Sequence, residues 1–435
     1  MKVASYQGAS IDPYGKGLGH VPGATIALVD AARLEWNLLD EDVSLPAAVL
    51  YAERVEHNLK WMQGFVERYG VKLAPHGKTT MAPQLFRRQL EAGAWGITLA
   101  TAHQTRAAWR GGVRRVLMAN QLVGRYNMRM IAELISDPDF EFCCLVDSAE
   151  GVDQLGAYFR ASRRPLNVLL ELGVKGGRTG VRDAAALKAV LAALARYPDA
   201  LALAGVELYE GILKDESEVR GLLRSALAVT RELAAAGRFA RTPPILSGAG
   251  SAWYDVVADE LAPAAKSGQI EVVLRPGCYV THDAGIYEKA QADVLARNPI
   301  ARQMGEALKP ALHLWAYVQS IPEPDRAIVG FGKRDASPDA GYPVPARHYR
   351  PLRAAAVVDE DARRLPREVS PDERWEVFAM MDQHAYMRIP AGANLRVGDL
   401  IGFDISHPCL TFDKWRQLLL VDPEYRVTEV IETLF

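Results

Sequence analysis

The sequence predicts an α/β chain: a (β/α)8 TIM-type barrel followed by a C-terminal all-β domain. Three observations carry this. Short apolar runs alternate with longer helical segments over about 250 residues, the length of one such barrel. Polar or glycine-rich residues follow nearly every apolar run. Beyond residue 300 the texture changes to short strand-like runs separated by turn residues.

The apolar runs, at 71–75, 96–100, 115–119, 141–146, 167–172, 203–209, 244–247 and 271–275, are continuous rather than alternating. That pattern fits strands covered on both faces. Helical spacing fills the intervals at 82–93, 103–111, 127–135, 184–196 and 216–236. Strand-then-helix repetition gives a parallel sheet. An open doubly wound sheet satisfies the same count. Later runs at 311–321, 326–330, 353–358, 374–380, 395–403 and 416–421 read as β strands. The expected partition is an extension at 1–45, packing on the β domain, a barrel at 46–298 and a β domain at 299–435.

The 435 residues carry 51 Lys and Arg against 53 Asp and Glu, a net charge of −2, which argues against binding nucleic acid through bulk charge. Four cysteines without a C-x-x-C pair do not form a disulfide framework. The first residues lack the apolar core of a secretory signal, and no apolar stretch has the length of a membrane span. The expectation is a cytoplasmic protein with a small-molecule substrate and no nucleic-acid or membrane partner.

In a barrel, chemistry gathers at the carboxyl ends of the strands. The first strand is followed by His76-Gly77-Lys78-Thr79-Thr80. A lysine in such a pocket can form a Schiff base, which pyridoxal phosphate requires together with an anion cradle and a partner for its ring nitrogen. The cradle candidate is Ser247, Gly248, Ala249 and Gly250, with a helix expected to start near Tyr254. A plain glycine turn is the alternative. Tyr279 could donate to the phosphate, Arg178 could face the phenolate oxygen, and Tyr209 could lie against the ring nitrogen. Core tyrosines and a solvated arginine are the competing readings.

The second chemical signal is Ser406-His407-Pro408-Cys409. In an extended segment His407 and Cys409 face one side, with Pro408 holding the chain extended, and could share an ion. Thiolate with imidazole favours zinc, and two ligands leave positions open for substrate or water. His384 is a candidate third ligand or acid/base.

The runs Pro75-His76-Gly77-Lys78-Thr79-Thr80, Gly177-Arg178-Thr179-Gly180, Arg275-Pro276-Gly277-Cys278-Tyr279 and His407-Pro408-Cys409, in this order, resemble the D-serine dehydratase and D-threonine aldolase family. These pyridoxal-phosphate enzymes share the fold of alanine racemase (fold type III). The resemblance implies Lys78 as the Schiff-base lysine, with His76 beside it in the cofactor pocket. It implies Arg178 at the cofactor oxygen and Tyr209 at its ring nitrogen. It puts Ser247, Gly248, Ala249, Gly250 and Tyr279 at its phosphate, and His407 and Cys409 at a zinc ion near the substrate's β-hydroxyl. It also implies a homodimer. The acidic run around Tyr209 departs from what a cofactor nitrogen would attract. The expected reaction is dehydration and deamination of a D-3-hydroxy amino acid to a 2-oxo acid and ammonia. The alternatives are retro-aldol cleavage to glycine and an aldehyde, and a non-catalytic carrier of the cofactor.

Overall fold

The computed structural model describes residues 10–23, 25–351 and 365–435. The predicted strand at 353–358 lies outside the described residues, as do the first nine of the N-terminal extension. The chain divides into two compact units. One holds Leu59–Tyr279 and Ala290–Ala307; the other holds Gln7–Asn58, Val280–Lys289 and Leu308–Phe435.

The first regular strand, β1 (Ala47–Tyr51), is buried along its whole length and belongs to the second unit. The barrel unit follows with β2 (Lys72–Leu73), β3 (Ile97–Leu99), β4 (Arg115–Gln121), β5 (Glu141–Val146), β6 (Leu166–Leu172), β7 (Leu201–Leu208), β8 (Ile245–Gly248) and β9 (Glu271–Leu274). All eight pair in parallel, in the order β2-β9-β8-β7-β6-β5-β4-β3. The ends of that order meet. Trp95 N donates to Leu73 O at 2.6 Å, Thr98 N to Pro75 O at 2.9 Å, and His76 bridges to Thr98 in parallel. The sheet therefore closes, and the doubly wound alternative is excluded.

Side chains alternate across a strand, so every second residue points inward. Ala74, Leu117, Cys143, Leu145, Leu169, Ala204, Ile245 and Val273 pack together as the barrel interior. Helices cover the outside, and their starts are encoded locally. Thr101, Ser148, Asp183 and Asp215 each accept an N–H of the helix they precede. Thr101, which follows the apolar run at 96–100, is thus an N-cap.

The second unit continues with β10 (Leu312–Glu323), β11 (Arg326–Val329), β12 (Val344–Tyr349), β13 (Arg367–Glu368), β14 (Glu376–Met380), β15 (Ala385–Arg388), β16 (Leu400–Asp404), β17 (Gln417–Val421) and β18 (Val427–Glu432). With β1 they form one ten-stranded sheet whose main path runs β13-β12-β16-β10-β1-β17-β18. β1 pairs antiparallel with β10 and parallel with β17. Placing residue 46 at the start of the barrel is therefore corrected. The run at 47–51 precedes a helix, Ala52–Tyr69, and so looks like a first βα unit, but its strand partners are distant in sequence. Ile11, Leu18, Leu28, Trp36, Leu38 and Val43 join Val49, Trp315 and Leu419 in the core of this unit. No helix among the described residues is long and apolar enough to cross a membrane.

Candidate active site

Lys78 lies in a short 3-10 turn, Gly77–Thr79, immediately after the first barrel strand. Its neighbours on the turn are buried and its own side chain is exposed. The turn must be glycine-lean in volume: a Cβ on Gly77 would stand 2.7 Å from Phe86 and 2.8 Å from Ile97. Gly277, from the strand alongside, packs under the same turn, where a Cβ would meet His76 O at 2.5 Å.

Beneath Lys78 the inward layer of the barrel turns polar. His76, Glu171, Ser247 and Arg275 are each two residues beyond an apolar interior residue, and Glu207 is in register with Glu171 on one side and Ser247 on the other. Glu171 accepts hydrogen bonds from Gln121 and Thr179. Arg275 is ion-paired to Glu207 and donates to Leu208 O at 2.9 Å. Burial pushes Glu207 up to about 7, with Arg275 opposing and the neighbouring Glu171 and Glu210 adding to the shift. Burial, helped by the charges of Lys78, Arg275 and Arg178, holds His76 well below the usual imidazole range. His76 is therefore neutral. Nδ1 of His76, Nε of Arg275 and Oε2 of Glu207 are buried without a hydrogen-bond partner. Orphaned polar atoms of this kind mark a floor built for a polar guest or ordered water.

Arg178 is delivered by a tightly folded loop. Gly173 N donates to Val181 O at 3.0 Å, Val181 N to Glu171 O at 2.9 Å, and Gly180 N to Asp147 Oδ2 at 3.0 Å. Gly180 has φ +97°, and a Cβ there would stand 2.5 Å from Gly173 N. The Arg178 guanidinium lies 4.9 Å from the centre of the Tyr209 ring, a cation–π contact. Tyr209 is half-buried, and burial raises its hydroxyl pKa.

The expected phosphate cradle follows β8, and a helix, Tyr254–Lys266, begins where the sequence predicts. Most of its polar groups already have partners. Ser247 Oγ donates to Val273 O at 3.0 Å, and Tyr279 Oη accepts from Gln89 at 3.3 Å in a buried setting. The amides of Ala249 and Gly250 both donate to the carboxylate of Glu210, at 3.0 and 2.7 Å. Two successive N–H groups converging on anionic oxygens form an anion nest. The loop backbone is thus held by Glu210, beside the orphaned polar atoms of the barrel floor, which fit the polar ring of a pyridoxal cofactor.

The second candidate site is in the β unit. Pro408 is helical, with φ −67° and ψ −36°, and caps a short helix, Cys409–Phe412. The extended segment expected there is thus corrected: a turn, rather than strand alternation, brings His407 and Cys409 together. Their side chains are hydrogen-bonded, and that contact, with Asp339 adding to it, raises His407 to about 9. His407 Nδ1 lies 2.7 Å from Asp339 Oδ2, and Ser337 Oγ donates to Asp339 Oδ1 at 2.5 Å. The donor pair suits a thiophilic ion such as zinc. Among the described residues no group of three or more His, Cys, Asp or Glu is assembled to hold a metal. His384 is exposed in the turn between β14 and β15, and its carbonyl accepts from Met381 N at 2.8 Å.

Sequence reasoning did not single out Glu171, Arg275 as a floor residue, or Asp339, and it noted Glu207 and Glu210 only as an acidic run around Tyr209. Glutamates inside otherwise apolar strand runs were the available signal for Glu171 and Glu207. Asp339 sits in an irregular loop and offers none.

Residues 51–269 match the family described as "Alanine racemase, N-terminal domain", and residues 311–421 match the "Putative serine dehydratase domain". The D-threonine aldolase of Arthrobacter sp is 28% identical over 308 residues, 69% of this chain and 75% of that protein. The crystal structure of D-threonine aldolase from Filomicrobium marinum superposes with a TM-score of 0.72 at 24% identity, over 92% of this chain and 97% of that one. D-threo-3-hydroxyaspartate dehydratase from Delftia sp. HT23 gives a TM-score of 0.69 at 21% identity, over 92% and 99%. The first match spans half of the sequence and the whole closed barrel up to the start of its last strand, so the chain belongs to the alanine racemase N-terminal domain family.

Proposed function

We propose that the protein is a pyridoxal-phosphate-dependent lyase that dehydrates and deaminates a D-3-hydroxy amino acid, giving a 2-oxo acid and ammonia. The observation that carries this reading is Lys78 above a floor of buried polar atoms at the carboxyl end of a closed barrel. The aldolase and dehydratase relatives support the substrate class.

Lys78, Arg178, Tyr209 and the loop around Ala249 and Gly250 would hold the cofactor, which supplies an electron sink for the pair left at the substrate's α-carbon. Lys78 would hold it through Nζ, and the same nitrogen would serve as the base that takes the substrate's α-proton. Neutral His76 adds no competing positive charge beside Nζ. Arg178 supplies a fixed cation at the mouth, held there by the Gly173–Val181 bridging bond and by Tyr209. Glu207, pushed up to about 7 by burial, would tune the charge beside Arg275 near neutrality. His407 and Cys409 would hold zinc, which would supply Lewis acidity. One solved D-threo-3-hydroxyaspartate dehydratase is a cysteine-to-alanine mutant in the metal-free form.

Retro-aldol cleavage is the second reading, favoured by the Arthrobacter relative. The thiolate of Cys409 inclines the choice toward zinc and elimination. Product analysis separates the two: D-serine, D-threonine and D-3-hydroxyaspartate should yield keto acid and ammonia, whereas glycine would mean aldolase. Wild-type protein should turn yellow with the cofactor, and Lys78→Ala should not. A wild type that stays colourless after cofactor addition sinks the reading.

A further inference from the structure

We propose that Glu210 is a positioning residue for the cofactor's phosphate: its carboxylate clamps the Ala249 and Gly250 amides and fixes the loop on which the phosphate rests. The inference builds on the pyridoxal-phosphate reading above.

Glu210 is 0% exposed. One carboxylate oxygen takes the Ala249 amide at 3.0 Å and the other takes the Gly250 amide at 2.7 Å. Ala249 carries φ +75°, a left-handed conformation that a residue with a Cβ adopts only when its surroundings enforce it. The bidentate clamp is that enforcement. Glu210 is itself anchored, since its carbonyl accepts Leu213 N at 2.8 Å. Downstream, the loop runs into the helix Tyr254–Lys266, whose N-cap residue Trp253 provides no side-chain acceptor.

The same segment also touches the other wall of the site. A Cβ on Gly250 would stand 3.2 Å from the Tyr209 ring. Tyr209 and Glu210 are adjacent, so one stretch of chain lines the ring position and sets the phosphate loop. A carboxylate that merely occupied the phosphate's place would have to be stripped of two charge-assisted bonds and left unpaired in full burial. That cost favours a permanent clamp over an exchangeable occupant.

The test compares pyridoxal phosphate with pyridoxal, which lacks the phosphate, each titrated into the whole protein and followed by absorbance of the bound aldehyde. Glu210→Gln keeps the shape but offers one acceptor to two donors. It should weaken pyridoxal phosphate about tenfold, the value of one charge-assisted hydrogen bond, and leave pyridoxal unchanged. Glu210→Asp, too short to reach both amides, should shift the same ratio in the same direction and serves if the first variant does not fold. Equal weakening of both aldehydes would make Glu210 a general structural residue and overturn the proposal. No change, or tighter binding of the phosphorylated form, would overturn it as well, the latter showing a competitor for the amides. A wild type that binds neither aldehyde overturns the cofactor reading and this one together, whereas wild-type binding with an unaltered ratio in both variants overturns only this one.

Discussion

Glu207 and Glu171 stand side by side on neighbouring barrel strands, 1% and 2% exposed, with Arg275 paired to Glu207 alone. Two carboxylates in one buried layer resist being ionised together, and burial adds to the resistance. Because Glu207 titrates at about 7 in the fold, against 4.5 ordinarily, the folded state holds a proton that the unfolded chain has released between those values. Its contribution to stability is therefore full below 4.5 and is lost as pH rises through about 7. Glu207→Gln mimics the protonated acid and should not show this loss. In urea melts the wild type should lose about 2–3 kcal/mol between pH 5 and pH 8, and the variant should show clearly less of that fall. A variant whose stability falls with pH as steeply as the wild type's would contradict the raised titration. In the β unit, Asp339 orients His407 through Nδ1. Asp339→Ala should lower zinc retention about 10- to 100-fold in chelator competition; unchanged retention would remove Asp339 from any metal role. Lys78, Arg178, His407 and Cys409 could be named as candidates from the sequence because they follow strands or sit in a distinctive run. The floor residues were not, because their inward orientation depends on strand register, including a shift between Val168 and Leu169 that no local pattern encodes.

At the level of elements, the eight barrel strands were legible because burial on both faces leaves continuous apolar runs, and the helices because their caps are local. The β unit was less so. β12, β13, β15 and β18 were not anticipated, since short strands with one face exposed carry charged and polar residues that resemble loops. β1 was not anticipated as a strand, and its residues were assigned to the barrel by the boundary at 46, because a strand before a helix looks alike whichever partner it finds later. Gly205 shows how tightly the barrel constrains one element. It lies on β7 at the register shift, and a Cβ there would run into the backbone oxygen, carbon and nitrogen of Ile245 on β8. Backbone atoms of a paired strand cannot step aside as a flexible side chain does. Gly205→Ala should therefore cost about 2 kcal/mol or more in urea unfolding, as overpacking of a core does. A loss of only a few tenths would mean that β7 and β8 separate more easily than their pairing suggests.

For the whole molecule the decisive fact is that the β unit is discontinuous. The chain enters it first, leaves to build the barrel, returns briefly at Val280–Lys289 and comes back for good at Leu308. β1 is central to its sheet, between β10 and β17, with Val49 and Leu50 fully buried. Val280–Lys289 is tied in as well: Asn58 Nδ2 donates to Val280 O at 3.3 Å, Ala311 N to Thr281 O at 2.7 Å, and Ala284 N to Ile405 O at 3.1 Å. A polypeptide of residues 308–435 alone would expose the facing edges of β10 and β17 and leave the apolar contributions of Ile11, Leu28, Trp36 and Leu38 unfilled. Open edges beside an incomplete core favour self-association over folding. The expected outcome is that this fragment shows no cooperative urea transition and aggregates, although the family boundary at 311 makes it look like a domain. Supplying residues 10–58 and 280–289 through flexible linkers should restore a cooperative transition. A cooperative transition and dispersed amide resonances for residues 308–435 by themselves would refute the argument. The reason would then have to lie in an alternative pairing of β10 with β17, which a shift in their hydrogen-exchange protection would reveal.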